Sequence, residues 1–360
     1  MPTFKNEHLR KVCLLIFRAA GVKKNEAEIV ANSMVEANLA GHDSHGIIKI
    51  MRYMRELKEG VTRLDAKMKV ERETSSTALF DADYGFGQVA ARNAMELAIN
   101  KAKANGIGAV AIKRCNHVGR LAEYTSMAAE NDMIGIIFTS SAGARGGPNV
   151  APYGGVDAKY GTNPLSVGIP TGLGRPIILD MSTSIVAGGK IRLAKARREK
   201  IPEGWIYDSQ GRPSTDPGDL YDNGNCIGAL LPFGGPKGSG LGLIIELIGG
   251  VLAGAGCGSA SRGNGPFMIA INIDAFMPID EFKNKTDKFI KDVKSSRKVQ
   301  GMSEILLAGE PEFNTIEKRL IDGIFIEDGT WKLIEGLAES LNVDLRKTLG
   351  ISYTGFDKGG

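Results

Sequence analysis

"GFGQVAA", Gly85 to Ala91, fits G-x-G-x-x-A, the glycine pattern with which a strand turns into a helix around a dinucleotide pyrophosphate. Its surroundings decide against that reading. The insert "DAD" (Asp81 to Asp83) separates the preceding strand pattern from the glycines. "VAIKRCN" (Val110 to Asn116) stands where the next strand should close on a carboxylate for the adenosine ribose. The fingerprint is rejected as a Rossmann signature, and the chain is read as α/β (α+β) of another kind.

Working outward from it, the pattern predicts a helix over Val89 to Asn105 and a strand over Ile107 to Ile112. A helix over Leu121 to Asn131 and a strand over Ile134 to Ser140 come next. Upstream, apolar residues recur at helical spacing through "LRKVCLLIFRAAG" and "EAEIVANSMVEANLAG", with Gly21 and Gly41 as stops. "IIKIMRYMRELKEG" reads as a further helix, and a new architecture begins near residue 75. Residues 141–235 are rich in Gly and Pro, as site-bearing loops are. "LGLIIELIGGVLAGAG" is apolar almost all round and reads as a buried helix, with Glu246 and its glycines arguing against a membrane span. "FMIAINIDAF" is strand-like, amphipathic helix returns from about residue 290, and 351–360 reads as a frayed tail.

The 360 residues are 42% apolar and 24% charged, enough for two domains with a substantial core. A net charge of +4 supports neither a nucleic-acid binder nor a membrane-surface protein. Cys13, Cys115, Cys226 and Cys257 stand far apart with no C-x-x-C, so a reducing cytoplasm is expected rather than a disulfide framework or a thiolate zinc site. The apolar run "VCLLIF" (Val12 to Phe17) is too short for a signal peptide or membrane span.

Two of the four histidines stand in "GHDSHG", Gly41 to Gly46. It lacks the G-x-S-x-G order of a nucleophile elbow, and His42 with His45 makes too few metal ligands without a third such as His117. It reads either as a polar turn with a capping Asp or Ser, or as a proton-transfer site. His117 comes after a predicted strand, where α/β folds place ligand groups, or else serves as a helix-entry residue. Asp180 in "PIILDMSTS" is a carboxylate for proton transfer or an N-cap for the segment after it. "GGPKGSGLG" offers backbone N–H groups and the Lys237 cation at a helix start, suited to a phosphate, but lacks P-loop order. "KIRLAKARREK", Lys190 to Lys200, reads as a solvated helix face; no aromatics interleave with it as on a nucleic-acid surface.

"NLAGHDSHGI", "FGQVAA", "NHVGRLAEY", "YGTNPLSVGIP", "LDMSTS", "PKGSGLGLIIELIGGVLAGA" and "LAGEPE" resemble, in that order, motifs of the malate/L-lactate dehydrogenase family. This family includes sulfolactate and ureidoglycolate dehydrogenases and reductases of cyclic imino acids and diketogulonate. The resemblance runs from about residue 5 to residue 345 and looks closest to the bacterial hydroxycarboxylate dehydrogenase branch. It implies a non-Rossmann NAD(P)-binding mixed-sheet domain over 76–289. A helical domain over 1–75, completed by 290–350, is implied beside it. It also implies a cytoplasmic homodimer, no metal, and NAD or NADP as cofactor, with NAD favoured. The implied reaction passes a hydride between nicotinamide and a 2-hydroxy/2-oxo acid such as malate or lactate. The alternative is an NADPH-dependent reductase of a cyclic imino acid or keto sugar acid.

By the same resemblance His45 is the proton donor, with Ser44 and Asp180 as relay partners. His117 matches a second family histidine that acts as the acid/base in some members, so the two roles can be exchanged. Tyr53 matches a substrate-pocket tyrosine. Cofactor contacts are implied for His45, Gly119, Arg120 and Leu121, for Ile178, Leu179, Asp180, Met181 and Ser182, for Lys237, and for Leu307, Ala308, Gly309 and Glu310. Two departures stand out. Ala308 replaces the usual proline, and Lys49 stands where many members place an arginine that grips the substrate carboxylate with two parallel bonds. Arg52, one turn on, is a candidate to compensate.

Overall fold

The structure, a computed structural model, describes residues 3–143, 147–222, 225–345 and 347; the expected tail 351–360 lies outside them. The chain forms two compact units, Met1–Ala66 with Glu310–Gly360, and Lys67–Gly309. The sequence reading puts the seams at 75/76 and 289/290. They fall elsewhere because Lys69–Glu73 already pairs with the sheet of the second unit, and because α8 (Ile279–Lys294) is tied to that unit by Lys283 to Asp132 (2.6 Å) and Gly172 N–H to Asp287 (3.0 Å).

The first unit is helical: α1 (Asn6–Ala19), α2 (Lys24–Leu39) and α3 (Ile50–Lys58) come from the amino end. From the carboxyl end come α9 (Glu310–Asp322) and α10 (Asp328–Ser340). Helix α1 buries Leu9, Val12, Cys13, Ile16 and Phe17, the i, i+3, i+4, i+7, i+8 stripe that the periodicity demands. Burial pushes the Cys13 thiol up to about 12. Thr3–Phe4 pairs antiparallel with Ile324–Phe325, and the Phe4 and Trp331 rings meet at 4.1 Å, joining the two chain ends.

The second unit is built on seven strands: β1 (Lys69–Glu73), β2 (Thr77–Asp81), β3 (Ile107–Lys113), β4 (Met133–Gly143), β5 (Leu165–Ile169), β6 (Ile177–Met181) and β7 (Gly263–Asn272). Their order is β1-β2-β3-β7-β4-β5-β6. Only β2 and β3 run parallel; every other neighbouring pair is antiparallel. The crossover between the parallel pair is α4 (Gly87–Asn105), so "GFGQVAA" does sit between a strand and a helix, but on a mixed sheet. Helices α4 and α5 (Ala122–Glu130) pack on the sheet through an alanine-rich core that includes Ala90, Ala94, Met95, Ala98, Tyr124 and Ala128. Gly135 on β4 and Gly168 on β5 let α5 lie close, since a Cβ there would meet Ala128 or the Thr125 backbone within 3 Å.

The helix expected to be buried behaves differently. Helix α7 (Pro236–Leu247) runs on into a π-helical segment, Ile248–Leu252. It buries Gly242, Ile245 and Glu246, whereas Leu243, Ile244, Leu247, Val251 and Leu252 are 46–67% exposed. An apolar pattern on every side tells which residues avoid water, not which of them this chain covers. Helix α6 (Gly188–Arg197) carries the basic run, its cations exposed; Arg192 stacks over the Tyr221 ring at 4.3 Å and Lys195 Nζ donates to the Tyr221 carbonyl (2.8 Å). No helix among the described residues is long and apolar enough to cross a membrane.

Candidate active site

"GHDSHG" folds as a turn fixed from several sides, all within the first unit. Gly41, at φ +81, ends α2 in the left-handed region that glycine adopts without strain. Asp43–His45 then forms a single 3₁₀ turn. Asn38, buried in the last turn of α2, holds the turn: its Nδ2 donates to Asp43 (2.7 Å) and its Oδ1 accepts from the Ile47 N–H (2.8 Å). Gly46 must be glycine because a Cβ there would lie 2.2 Å from Asn38 Oδ1. Helix α9 supplies the outer ties. Arg319 grips Asp43 with two bonds (2.7 and 3.0 Å) and donates to the Asn38 carbonyl, and His42 Nε2 faces Glu312 at 3.2 Å. His42 and Asp43 thus shape the turn, and His45, half-buried, is presented by it with Ser44 Oγ 3.3 Å from its Nδ1.

Lys49 closes the short helical turn Ile47–Lys49 that leads into α3 and is half-buried. Arg52, the candidate to compensate for it, is committed along its own helix: its Nε donates to Glu56 at 2.6 Å, and Glu56 is nearly fully buried. Tyr53 is 2% exposed.

His117 and Asp180 belong to the second unit. His117 lies in the loop between β3 and α5, whose backbone is pressed against the first turn of α4; a Cβ on Gly87 would sit 2.4 Å from the His117 carbonyl. The second glycine of "GFGQVAA" therefore serves a close approach of the protein's own chain. Asp180, on β6, accepts the Ala122 N–H at 2.8 Å and so caps the start of α5.

Of the residues expected to touch a cofactor, those of 119–121, 178–182 and 307–309 lie at the start of that capped helix, on or next to the strand that caps it, or fastened to that strand. Gly119 (φ +78), Arg120 and Leu121 lead into α5. Strand β6 carries Ile178, Leu179, Asp180 and Met181, and Ser182 comes directly after it, its hydroxyl bonding to the Ser184 carbonyl (3.1 Å). Ile178 N–H donates to the Ala308 carbonyl (3.1 Å), and Gly309 (φ +92) lies where a Cβ would be 3.2 Å from Ile178, so Leu307–Gly309 is fastened to the same strand. Glu310 begins α9 and belongs to the first unit. Among the described residues Arg120 Nε is buried without a hydrogen-bond partner, a costly state unless a further acceptor completes it. That orphaned donor, next in the chain to the left-handed Gly119, fits an anionic or oxygen-rich group.

The phosphate cradle expected at "GGPKGSGLG" is only partly present. The Lys237, Gly238 and Ser239 N–H groups donate to Gly234, Phe233 and Gly235 carbonyls, so the turn consumes the donors and the exposed Lys237 side chain is what the helix start offers. Among the described residues no group of three or more His, Cys, Asp and Glu is placed to hold a metal. Sequence reasoning does not single out Asn38, Arg319, Glu312 and Glu56. Asn38 lies inside a quoted motif, but its partners stand up to 281 residues away.

Residues 4–335 match the family described as malate/L-lactate dehydrogenase. The malate/(S)-sulfolactate dehydrogenase of Methanothermus fervidus is 38% identical over 94% of this chain and 98% of its own length. Hydroxycarboxylate dehydrogenase B of Escherichia coli K12 is 34% identical over 94% of each. The solved structure of sulfolactate dehydrogenase from Methanocaldococcus jannaschii superposes with a TM-score of 0.87 at 36% identity, covering 96% of this chain and 99% of that one. The mixed sheet with a single parallel pair, the rejected Rossmann reading and these likenesses agree: the chain belongs to the malate/L-lactate dehydrogenase family.

Proposed function

We propose that the protein is an NAD(P)-dependent oxidoreductase that passes a hydride between nicotinamide and a 2-hydroxy/2-oxo carboxylic acid. His45 donates the proton in reduction and takes it back in oxidation. The observation that carries this reading is the His45 turn: Asn38, Asp43, Gly46 and Arg319 lock the turn that presents a half-buried imidazole, with Ser44 against its Nδ1. Fixing a donor in advance is what general acid catalysis requires of a scaffold. Histidine suits the task because its ordinary pKa lies near neutrality.

Bound nicotinamide supplies or accepts the hydride. Gly119, Arg120, Leu121, Ile178 to Ser182, Leu307 to Gly309 and Lys237 are the residues assigned to hold the cofactor. Asp180 contributes by fixing the start of α5, two residues after Arg120 with its orphaned donor. Charge building on the carbonyl oxygen as the hydride arrives is met by the proton of His45. Lys49 attracts the substrate carboxylate as a point charge, a looser grip than a two-pronged arginine, which favours a broad set of 2-oxo acids over one.

The same reading includes a homodimer in which a second copy covers the apolar face of α7. Leu243, Ile244, Leu247, Val251 and Leu252 form a continuous exposed stripe with no charged residue in it.

The test tracks loss of reduced-nicotinamide absorbance, with NADH and NADPH in parallel, on oxaloacetate, pyruvate, hydroxyphenylpyruvate, sulfopyruvate and a cyclic imino acid. Turnover of one or more 2-oxo acids is expected. Turnover of the imino acid alone would move the protein to the alternative chemistry, and absence of cofactor binding would end the dehydrogenase reading.

A further inference from the structure

Beside the loop that carries His117 stands an ion pair that none of the contacts of the His45 turn involves. Asp81 ends β2 and Arg114 comes just past the end of β3, the two strands that run parallel, with Asp81 opposite Lys113 in register. Asp81 is 2% exposed and accepts from Arg114 Nε at 2.8 Å and Nη2 at 2.7 Å; Arg114 also reaches Asp83 at 3.0 Å, and Asp81 accepts the Asp83 N–H at 2.9 Å. Around this pair the backbone is strained. Asp83, Tyr84 and Arg114 have φ of +46, +55 and +50, conformations that non-glycine residues keep only where their surroundings over-determine them.

What the strain holds in place is the next segment of chain. Tyr84 N–H donates to the Arg114 carbonyl (2.8 Å), Ala82 N–H to the Lys113 carbonyl (3.1 Å), and Asn116 Nδ2 to the Tyr84 and Gly85 carbonyls (2.8 and 3.1 Å). Gly87 then admits the Asn116 and His117 carbonyls to positions 2.3 and 2.4 Å from where a Cβ would be. The loops leaving two adjacent strands are thus stitched together between Asp81 and His117.

We propose that the Asp81–Arg114 pair is the positioning device for His117, clamping the loop after β2 to the loop after β3 so that the imidazole is held in one orientation. The inference rests on the proposed function, extended to give His117, the second histidine that the resemblance implies for the site, a part in the reaction while His45 keeps the proton. Charge neutralisation alone does not account for the geometry, because Lys113, paired with Glu71, already stands 3.8 Å from Asp81. The flat guanidinium supplies what an ammonium lacks, two bonds in a fixed plane onto one carboxylate with a third contact to Asp83.

The test compares Arg114→Lys, which keeps the charge and loses the fork, with Asp81→Asn, which keeps the shape and loses the charge. Lys101→Met is the control: Lys101 is 7% exposed and pairs with Glu73 (2.8 Å) at the opposite end of the β1–β2 ladder. Histidine is labelled with 13C in the ring, and the signals of the four histidines are tracked by NMR alongside steady-state kinetics. In both loop variants the His117 resonance is expected to move while those of His8, His42 and His45 stay. kcat is expected to fall about ten- to a hundredfold with the KM for reduced cofactor nearly unchanged. Lys101→Met leaves both readings at wild type. An unmoved His117 resonance with normal kcat in Arg114→Lys overturns the proposal, as does an equal loss in Lys101→Met. If Asp81→Asn fails to fold, Arg114→Lys decides. Should the wild type turn over no 2-oxo acid, the functional reading fails while the resonances still test the positioning.

Discussion

Asn38 shows how one buried amide fixes the turn that carries His45. Its side chain donates to Asp43 and accepts from the Ile47 N–H, so Asn38→Ala leaves that buried N–H without a partner. A cost of about 1–3 kcal/mol in urea unfolding is expected, with turnover falling more than cofactor affinity. The two basic residues just before Tyr53, Lys49 and Arg52, separate cleanly. Lys49→Met is expected to raise KM for a 2-oxo acid about tenfold or more. Arg52→Met is expected to act on stability, by roughly 2–3 kcal/mol, since it strands the buried Glu56 carboxylate. Equal effects of the two on KM would contradict this division. Asp81 carries a pH signature. Burial alone would raise its pKa, but the Arg114 and Asp83 hydrogen bonds and the Arg114 and Lys113 charges outweigh it and hold the carboxyl below its usual range. A depressed folded-state pKa gives stability that is present above the unfolded value and lost as pH falls through the folded one. Unfolding of wild type and Asp81→Asn, compared from pH 7 downward, should therefore differ most at neutral pH and converge in acid.

At the scale of elements, the sequence makes the local pieces legible and hides their partners. The α4 and α5 helices and the β3 and β4 strands can be read from periodicity and glycine punctuation, because those signals are carried within each segment. The sheet order cannot, since β7, from residues 263–272, inserts between β3 and β4 through pairing that no local pattern announces. "GFGQVAA" is rightly denied a Rossmann domain, and its second glycine has a different purpose. Gly87→Ala would improve helix propensity yet push a methyl group into the Asn116 and His117 backbone. It is expected to lower both melting temperature and kcat; a variant more stable than wild type would show that the close approach is dispensable. The histidine turn is legible as a turn from Gly41 and Gly46, whereas Glu312 and Arg319, on α9, are not.

The residues proposed to act come from both units of the chain. Ser44, His45, Lys49 and Tyr53 come from the helical unit, and His117, Asp180 and the cofactor-assigned residues up to Gly309 from the sheet unit. The family resemblance names both sets without any geometry. The apolar face of α7 belongs to this scale as well, because its exposure is invisible to a pattern that reports only hydrophobicity. Ile244→Glu with Val251→Glu is expected to convert a dimer to a monomer by light scattering, and a wild-type monomer would refute the homodimer. The central claim, that His45 carries the proton, is tested most directly by single-turnover reduction of an active 2-oxo acid by wild type, His45→Ala and His117→Ala. The cofactor Kd is measured in each. The account predicts a loss of about 10²–10⁴-fold in the reduction rate of His45→Ala, with cofactor affinity nearly unchanged; near-normal reduction by His45→Ala, with the loss appearing in His117→Ala instead, would contradict it.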